Sequence, residues 1–526
     1  MNVKTQNLVE SEAKVDWFKP WIPITLILLL AAALYLYHLG RESCWLDELY
    51  SIRDVKDGRG LPPHNLVRPL YYMFLSVWIQ FGTSDTWLRG LAVIFALGSV
   101  FLTYLIGRRL VNEPEGLIAA LLLAISPLFI NHAQEVRMYT MSTCLGLAGT
   151  LAAIHALERP TNFLMGCWAS LRFLAIITVP FNVTLLVPDV VLVWFKFHKQ
   201  RRILLAFGKW LVLIGLLWAP CVLLKLVPST AEFASYGPQV TRPAPGVVEV
   251  VRLLRPLTVW PFRIEPNSIA SWFNKLFTPM LVVLMGMGLI HRYRSGRLLW
   301  VVAWGVLPLA QIFVASNLFF SLWLERYLLF TFPYLLIILA AGFMRVWRQG
   351  RAVAIIVALT YILGAFGGLV HYYTVQERTD YRGIVQTIKT NEKPDDVVVW
   401  SIESWIKTLP LVHYDHGSAP VHVPETVLYG EEIGKQDVEN WLSSLPETGS
   451  RLWLVCKLSE NQEQMFIDLV EKKFDIQKHE QFLYKKSRYY DVFLVTPSST
   501  GTEQSVNIPN NFPVTHKRKN AEFTRT

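Results

Sequence analysis

Cysteine, charge and glycine-rich loops are all scarce in this chain, and each scarcity removes a class of function. Its five cysteines in 526 residues are Cys44, Cys144, Cys167, Cys221 and Cys456. They keep no metal-ligand spacing, and three lie inside apolar runs where a thiol packs as a small hydrophobe, which excludes a cysteine-built zinc site. There is no Gly-rich phosphate loop, and no repeat at the 20 to 50 residue periods of solenoids. Charged residues make up only 17%, against 52% hydrophobic and 13% aromatic, and the mean hydropathy is +0.33. A single water-soluble domain is thereby excluded. The formal charge of +10 has two readings, a nucleic-acid partner or basic loops that fix membrane topology, and the location of the charges decides between them.

The apolar residues are concentrated before about residue 373, in runs long enough to cross a bilayer. The run from Trp21 to Leu39 is long enough for a ~30 Å hydrocarbon core at 1.5 Å per residue. It follows Lys14 and Lys19 and lacks a small-residue cleavage site, so it reads as an uncleaved anchor with a cytoplasmic N-terminus. Further runs at 88–107, 117–133, 139–157, 162–180, 182–198, 203–226, 275–291, 298–318, 327–344 and 351–373 predict about eleven transmembrane helices in all. Alternating these places Arg108 and Arg109, Arg159, the Lys196–Arg202 cluster, Arg292 to Arg297 and Arg345 to Arg351 inside. Every strong basic cluster is then cytoplasmic, as the positive-inside rule requires, and no nucleic-acid partner is needed. Pro69 to Gly82 is apolar but only about 14 residues, so it lies at the outer face as an interfacial or re-entrant segment.

The expected architecture is a mostly α, polytopic membrane domain over 1–373, with outer loops at 40–87 and 227–273. The second loop is rich in proline and reads as a lid. An odd number of spans puts the C-terminus outside, periplasmic or extracellular. From 374 to 497 short β-branched strands alternate with helical stretches, as in a small extracytoplasmic α/β domain that orients an acceptor or partner. Residues 498–526 read as a disordered tail. Cys44 and Cys456 then share an oxidising compartment, which leaves a crosslink or two free thiols open.

Three outward places carry polar residues that topology does not require: Trp45-Leu46-Asp47-Glu48-Leu49-Tyr50, Asn131-His132-Ala133-Gln134-Glu135-Val136-Arg137-Met138-Tyr139, and Trp323-Leu324-Glu325-Arg326-Tyr327. Adjacent carboxylates on a helix diverge by about 100°, so Asp47 and Glu48 cannot both point at one reacting atom. One is chemical and the other structural or a metal ligand. A carboxylate suits removal of a proton from an acceptor hydroxyl, while a phosphate leaving group calls for arginine donors. Arg68, Arg89, Arg137 and Arg326 are all outward, so base and cations together suggest transfer from a phosphate-linked donor. Within the spans, Arg172 and Asp189 sit nine residues before and eight after the turn at Phe181. An unpaired charge there costs at least ~2.5 kcal/mol, and equal depth predicts a structural ion pair pinning the hairpin. Arg172 on a lipid-phosphate path is the alternative. Lys225, near the outer end of its span, either reaches a lipid phosphate or snorkels.

The ordered set Trp45-Leu46-Asp47-Glu48, Pro69-Leu70-Tyr71-Tyr72, Leu88-Arg89, Leu105 to Leu110, Ser126-Pro127, Gln134 to Tyr139, Glu325-Arg326-Tyr327-Leu328 and Asp380-Tyr381-Arg382-Gly383 resembles the GT-C membrane glycosyltransferases. The matching branch holds the protein O-mannosyltransferases and the aminoarabinose transferases. The resemblance implies a sugar on a polyprenyl phosphate, transferred at the outer face of the cell membrane to a lipid, glycan or protein acceptor. By that analogy the catalytic acids are Asp47, Glu48 and Glu135. Asp47 matches the base and Glu135 the second acidic position, while Arg326 lies near the lipid phosphate. The substrate-binding set then comprises Arg68, Tyr71, Arg89, His132, Arg137, Tyr139, Lys225 and Arg326. Arg68 stands where many relatives have proline, which adds a phosphate contact. No metal cofactor is required, because arginines neutralise the leaving group. The rival arrangement has Mg²⁺ or Mn²⁺ held by Asp47, Glu48 and Glu135. A transporter or flippase of lipid-linked sugars is the alternative function; it would place its ionisable residues near the bilayer midplane, in repeated halves.

Overall fold

The computed structural model describes residues 21–56, 68–226, 244–254, 269–290, 297–319, 321–376, 378–401, 408–424, 428, 433–446, 450–484 and 488–498. The chain divides into two compact units. One comprises residues 1–386 with 409–415 and 483–486, and the other 387–408 with 416–482 and 487–526.

The first unit is helical. Its elements are α1 (Trp21–Leu36), α2 (Leu46–Lys56), α3 (Pro69–Trp78), α4 (Asp85–Leu110), α5 (Glu113–Ala124), α6 (Pro127–Ala133), α7 (Tyr139–Glu158), α8 (Asn162–Ile176), α9 (Leu186–Phe197) and α10 (Arg201–Leu226). They continue as α11 (Val247–Arg252), α12 (Ile269–Ile290), α13 (Leu298–Leu318), α14 (Glu325–Leu328), α15 (Phe332–Gln349) and α16 (Arg351–Thr374), and α17 (Tyr381–Asn391) runs across the division at residue 386. Among the described residues, seven helical segments are long and apolar enough to cross a membrane. An eighth is a pair, α5 and α6, bent by 63°. Shorter apolar helices occupy Trp21–Leu36, Asn162–Ile176 and Phe277–Ile290. The bend has a local cause: Pro127 has no amide hydrogen to continue α5, and Ser126 caps α6 through the amide of Phe129.

Packing sorts the helices. The segment Glu325–Gln349 has 83% of its apolar window buried and forms the centre, whereas Arg201–Leu223 has 11% and offers apolar side chains to its surroundings, as a lipid-facing helix does. Helices α4 and α5 cross closely, because Gly107 and Gly116 meet backbone to backbone. The two ends of the bundle differ chemically. At one end Arg109 and Arg297 reach Glu158, at 2.5 and 3.3 Å, and Arg348 reaches Glu115 at 3.1 Å. The opposite end gathers Asp47, Glu48, Arg89, Glu135 and Arg326 and is described below.

In the interior, Arg172 and Asp189 face each other. Arg172 Nε and Nη2 donate to the two carboxylate oxygens at 2.7 and 2.9 Å. Further bonds surround the pair. Nη1 donates to Gly146 O and Nη2 to Thr150, while the indole N–H groups of Trp168 and Trp304 donate to Asp189 at 2.8 and 2.7 Å. Four helices, α7, α8, α9 and α13, are joined by this one network. Arg172→Ala leaves a buried carboxylate without its cation and is expected to destabilise by about 3–5 kcal/mol, whereas Arg172→Met with Asp189→Leu restores most of the loss. Thermal unfolding of the two variants in detergent checks this, and equal stability of the single and double variants would contradict it.

The second unit holds a five-stranded sheet, order β2-β1-β3-β5-β4, from β1 (Val397–Trp400), β2 (Val421–His422), β3 (Leu452–Cys456), β4 (Phe474–Tyr484) and β5 (Arg488–Pro497). β1 lies parallel to β2 and β3, and β5 is antiparallel to β3. Helices α19 (Lys435–Ser443) and α20 (Glu460–Val470) cover one face, where Trp441 and Phe466 pack on Leu454 and Phe493. The intervening helix α18 (Leu409–Tyr414) belongs to the first unit. All five cysteines are free thiols. Cys44 is buried in the first unit and Cys456 in the sheet. Most of the expected lid at 227–273 and all of the tail from 499 lie outside the described residues.

Candidate active site

Helix α2 begins at Leu46, with both acids in its first turn, where the helix dipole favours negative charge. Glu48, the third residue, reaches back to the Trp45 amide at 3.1 Å, which fastens the helix start in the manner of a capping box. The two neighbouring carboxylates then have opposite fates. The Glu48 side chain is fully buried; Asp47 keeps 30% of its side chain exposed.

Glu48 sits at the centre of a clamp. Arg89 donates to its two oxygens through Nε and Nη2, both at 3.0 Å, the Val136 amide adds a bond at 2.8 Å, and Arg378 adds one at 3.2 Å. Arg89 was expected at a lipid phosphate, and the structure corrects this. Its other donors reach Leu39 O, Glu42 O and Ser43 O, so every N–H of the guanidinium is engaged. It has none left for a ligand. Arg378, which the sequence reading passed over, also reaches Glu42 at 3.6 Å and Glu135 at 3.6 Å, and donates to Asn131 and Gln134 O. Its one available signal was its position: a basic residue just past the last span, on the side where topology asks for none.

The bend between α5 and α6 presents the second acid. Glu135 is buried between His132, whose Nδ1 lies 3.0 Å away, and Asn131 at 3.1 Å. Burial alone would raise its carboxyl, but His132, with Arg378 and Arg137 beyond it, holds it down at about 2. Glu135 is thus an ionised anchor for the loop that carries Arg137.

Asp47 faces cations. Arg326 Nη1 donates to its Oδ2 at 2.9 Å, and Arg137 Nη2 lies 3.8 Å from the same oxygen. Arg137 is itself oriented by the Asp47 carbonyl at 2.9 Å and the Ser51 hydroxyl at 3.0 Å. Aromatic rings line this pair. The Arg326 guanidinium lies over Trp45 and Tyr327, that of Arg137 over Tyr139, and Tyr327 stacks on Phe181. Two arginines against one carboxylate leave a net positive charge, in place for an anion. Several polar atoms here are buried without a hydrogen-bond partner among the described residues: Trp45 Nε1, Tyr71 OH, His132 Nε2, Arg137 Nε and Arg326 Nε. Native interiors rarely tolerate such atoms, and a cluster of them marks a place shaped for a ligand or water.

The sequence-derived residues therefore separate into two layers. Asp47, Arg137 and Arg326 meet, with Tyr139 beside them; Glu48, Arg89, Glu135 and His132 support them from within. Tyr71 is buried on α3, and half-buried Arg68 precedes that helix. The Lys225 side chain lies outside the described residues. A third cluster at this end has Asp85 accepting from Arg382, His413 and Tyr414.

No protein-family model and no curated protein matches the chain in sequence. Solved structures do match in fold. ArnT from Cupriavidus metallidurans, bound to undecaprenyl phosphate, superposes with a TM-score of 0.55 at 14% identity, covering 90% of this chain and 98% of that one. The apo oligosaccharyltransferase of Archaeoglobus fulgidus gives 0.51 at 11% identity, over 93% and 77%. The same oligosaccharyltransferase tethered to an acceptor peptide also gives 0.51, at 11% identity over 92% and 76%. With its apolar helices, its C-terminal sheet and this likeness, the chain has the fold of the GT-C membrane glycosyltransferases.

Proposed function

We propose that the chain transfers a sugar from a polyprenyl-phosphate donor to an acceptor hydroxyl or amine at the outer face of the cell membrane. The observation that carries this is the partly exposed Asp47 carboxylate held against Arg326 and Arg137 at one end of the helical unit. The opposite, arginine-rich end is cytoplasmic in this reading, which fits the positive-inside rule. All eleven apolar helical segments cross the bilayer, with the N-terminus inside and the sheet-containing unit outside.

Charge accounts for the roles. In a polyprenyl phosphodiester the phosphate carries one negative charge, and a second develops as the sugar leaves. Arg326 and Arg137 meet that developing charge, which is where preorganised donors lower a barrier most. As they turn to the phosphate, Asp47 is released to accept the proton of the attacking acceptor. A single displacement inverts the anomeric carbon. Glu48 and Glu135 position the helix start and the Arg137 loop, and the arginines make a divalent ion unnecessary for the chemistry.

Transport of the lipid-linked sugar is disfavoured by the charges within the spans: Arg172 and Asp189 are paired with each other, and two tryptophans also donate to Asp189. The test is purified protein with radiolabelled polyprenyl-phosphate sugars, run with and without EDTA. The expected result is label moved to an acceptor or to water, unchanged by EDTA. An intact donor after long incubation would remove the transferase reading, and loss of turnover in EDTA would restore the metal.

A further inference from the structure

In the second unit, and independently of sugar transfer, three side chains from three elements converge. Glu463 lies on α20, His479 on β4 and Asp491 on β5, and each offers a ligand atom within 4.8 Å of the other two. Asp491 is only 1% exposed. Its cross-strand partner on β3 is Cys456, and Phe493 follows two residues on. That face of the sheet is the one covered by Phe466 of α20, three residues along from Glu463. The site is thus the end of a packed layer, with a carboxylate from the covering helix turned toward a carboxylate from the sheet.

Two carboxylates this close repel each other unless a cation stands between them. Among the described residues, neither Glu463 nor Asp491 has a lysine or arginine within ion-pair distance. His479 Nε2, 2.9 Å from Asp491 Oδ1, is the nearest cationic candidate. The Gln481 amide donates to that same oxygen at 3.1 Å. The imidazole is also locked in orientation. It stacks on Phe493 with ring centroids 4.0 Å apart and planes 11° apart, which keeps Nε2 aimed at the carboxylates. The Cys44, Asp85 and His413 group is a useful contrast: there Arg382 already neutralises Asp85, and no second carboxylate is present.

We propose that Glu463, His479 and Asp491 form a divalent transition-metal site, for which Zn²⁺ is the best-fitting ion. One imidazole nitrogen and two carboxylate oxygens are a ligand set that zinc accepts, with a fourth position for water. Calcium would ask for six to eight oxygens, which the cluster does not offer. Drawing the ligands in to Zn–N and Zn–O distances of about 2.0–2.2 Å needs side-chain shifts of under about 1 Å. The ion ties α20 to the β4–β5 edge of the sheet and replaces carboxylate repulsion with two bonds. It takes no part in the proposed transfer reaction.

The experiment uses the full chain in detergent, stripped of metal, dialysed and titrated with Zn²⁺. Bound zinc is counted by elemental analysis, and unfolding is followed in parallel. Glu463→Gln and His479→Gln are the variants of choice, because both positions are partly exposed and neither change removes volume from the core. The wild type is expected to hold one more Zn²⁺ per chain than either variant, with its affinity cut at least about 10-fold by each substitution. Zinc at 100 times the wild-type Kd should raise the melting transition of the sheet-containing unit by about 10 °C in the wild type and by no more than about half of that in either variant. In the stripped protein, Glu463→Gln should melt no lower than the wild type, since it removes a like charge. Equal zinc content in all three proteins, or no zinc in the wild type, would overturn the site. Sugar-transfer activity is read separately and is expected to be the same in all three.

Discussion

Asp47→Asn is expected to lose roughly 10²- to 10⁴-fold in transfer rate while the protein folds, inserts and binds its donor lipid. The substitution keeps the shape and leaves an amide oxygen for Arg326, so the hydrogen bond at 2.9 Å has a replacement acceptor. What disappears is the capacity to hold a proton. A purely architectural Asp47, present to orient Arg326, predicts a different pattern: donor binding would weaken and KM would rise, with kcat close to wild type. The split between kcat and KM therefore separates base from anchor. Steady-state kinetics with labelled donor, together with an assay of polyprenyl-phosphate binding, provides it. A variant that turns over near the wild-type rate would end the assignment of Asp47 as base.

The same residue shows why part of the site is legible in the sequence. A polar cluster at a membrane boundary has no topological purpose, so Asp47, Arg137 and Arg326 stand out against their surroundings. The apolar helices are legible for a related reason: bilayer thickness fixes the length of a run before any packing is known. Pairings across the chain carry no such signal. Glu48 and Arg89 are 41 residues apart, and each looks like a ligand contact until the other is placed against it. Arg378 is still harder to see, since its partners Glu48 and Glu135 precede it by almost the whole helical unit. Helix α18 lies in sequence within the sheet-containing unit, yet it belongs to the first unit because His413 and Tyr414 meet Asp85. Arg172 and Asp189 occupy the opposite case. A hairpin sets both at one depth, and a charge in hydrocarbon has little choice but the nearest counter-charge.

The second large effect is expected at the clamp beneath the site. Glu48→Gln leaves Arg89, 1% exposed, and Arg378 facing a neutral amide that cannot satisfy two guanidinium groups. Breaking a buried pair in this way costs about 3–5 kcal/mol, a large share of the 5–15 kcal/mol that usually separates folded from unfolded chains. Arg89→Ala should be as severe by another route, because it also orphans Leu39 O, Glu42 O and Ser43 O, which lie in the connection between α1 and α2. Both variants are expected to give little monodisperse protein, and what survives should be inactive, since the start of α2 that carries Asp47 has lost its fastening. Glu48→Gln combined with Arg89→Gln removes the opposing charges together and should recover part of the folded yield without recovering turnover. Normal yield and turnover in Glu48→Gln alone would show that Arg378 and the Val136 amide hold the helix without the charge, and the clamp would lose its role.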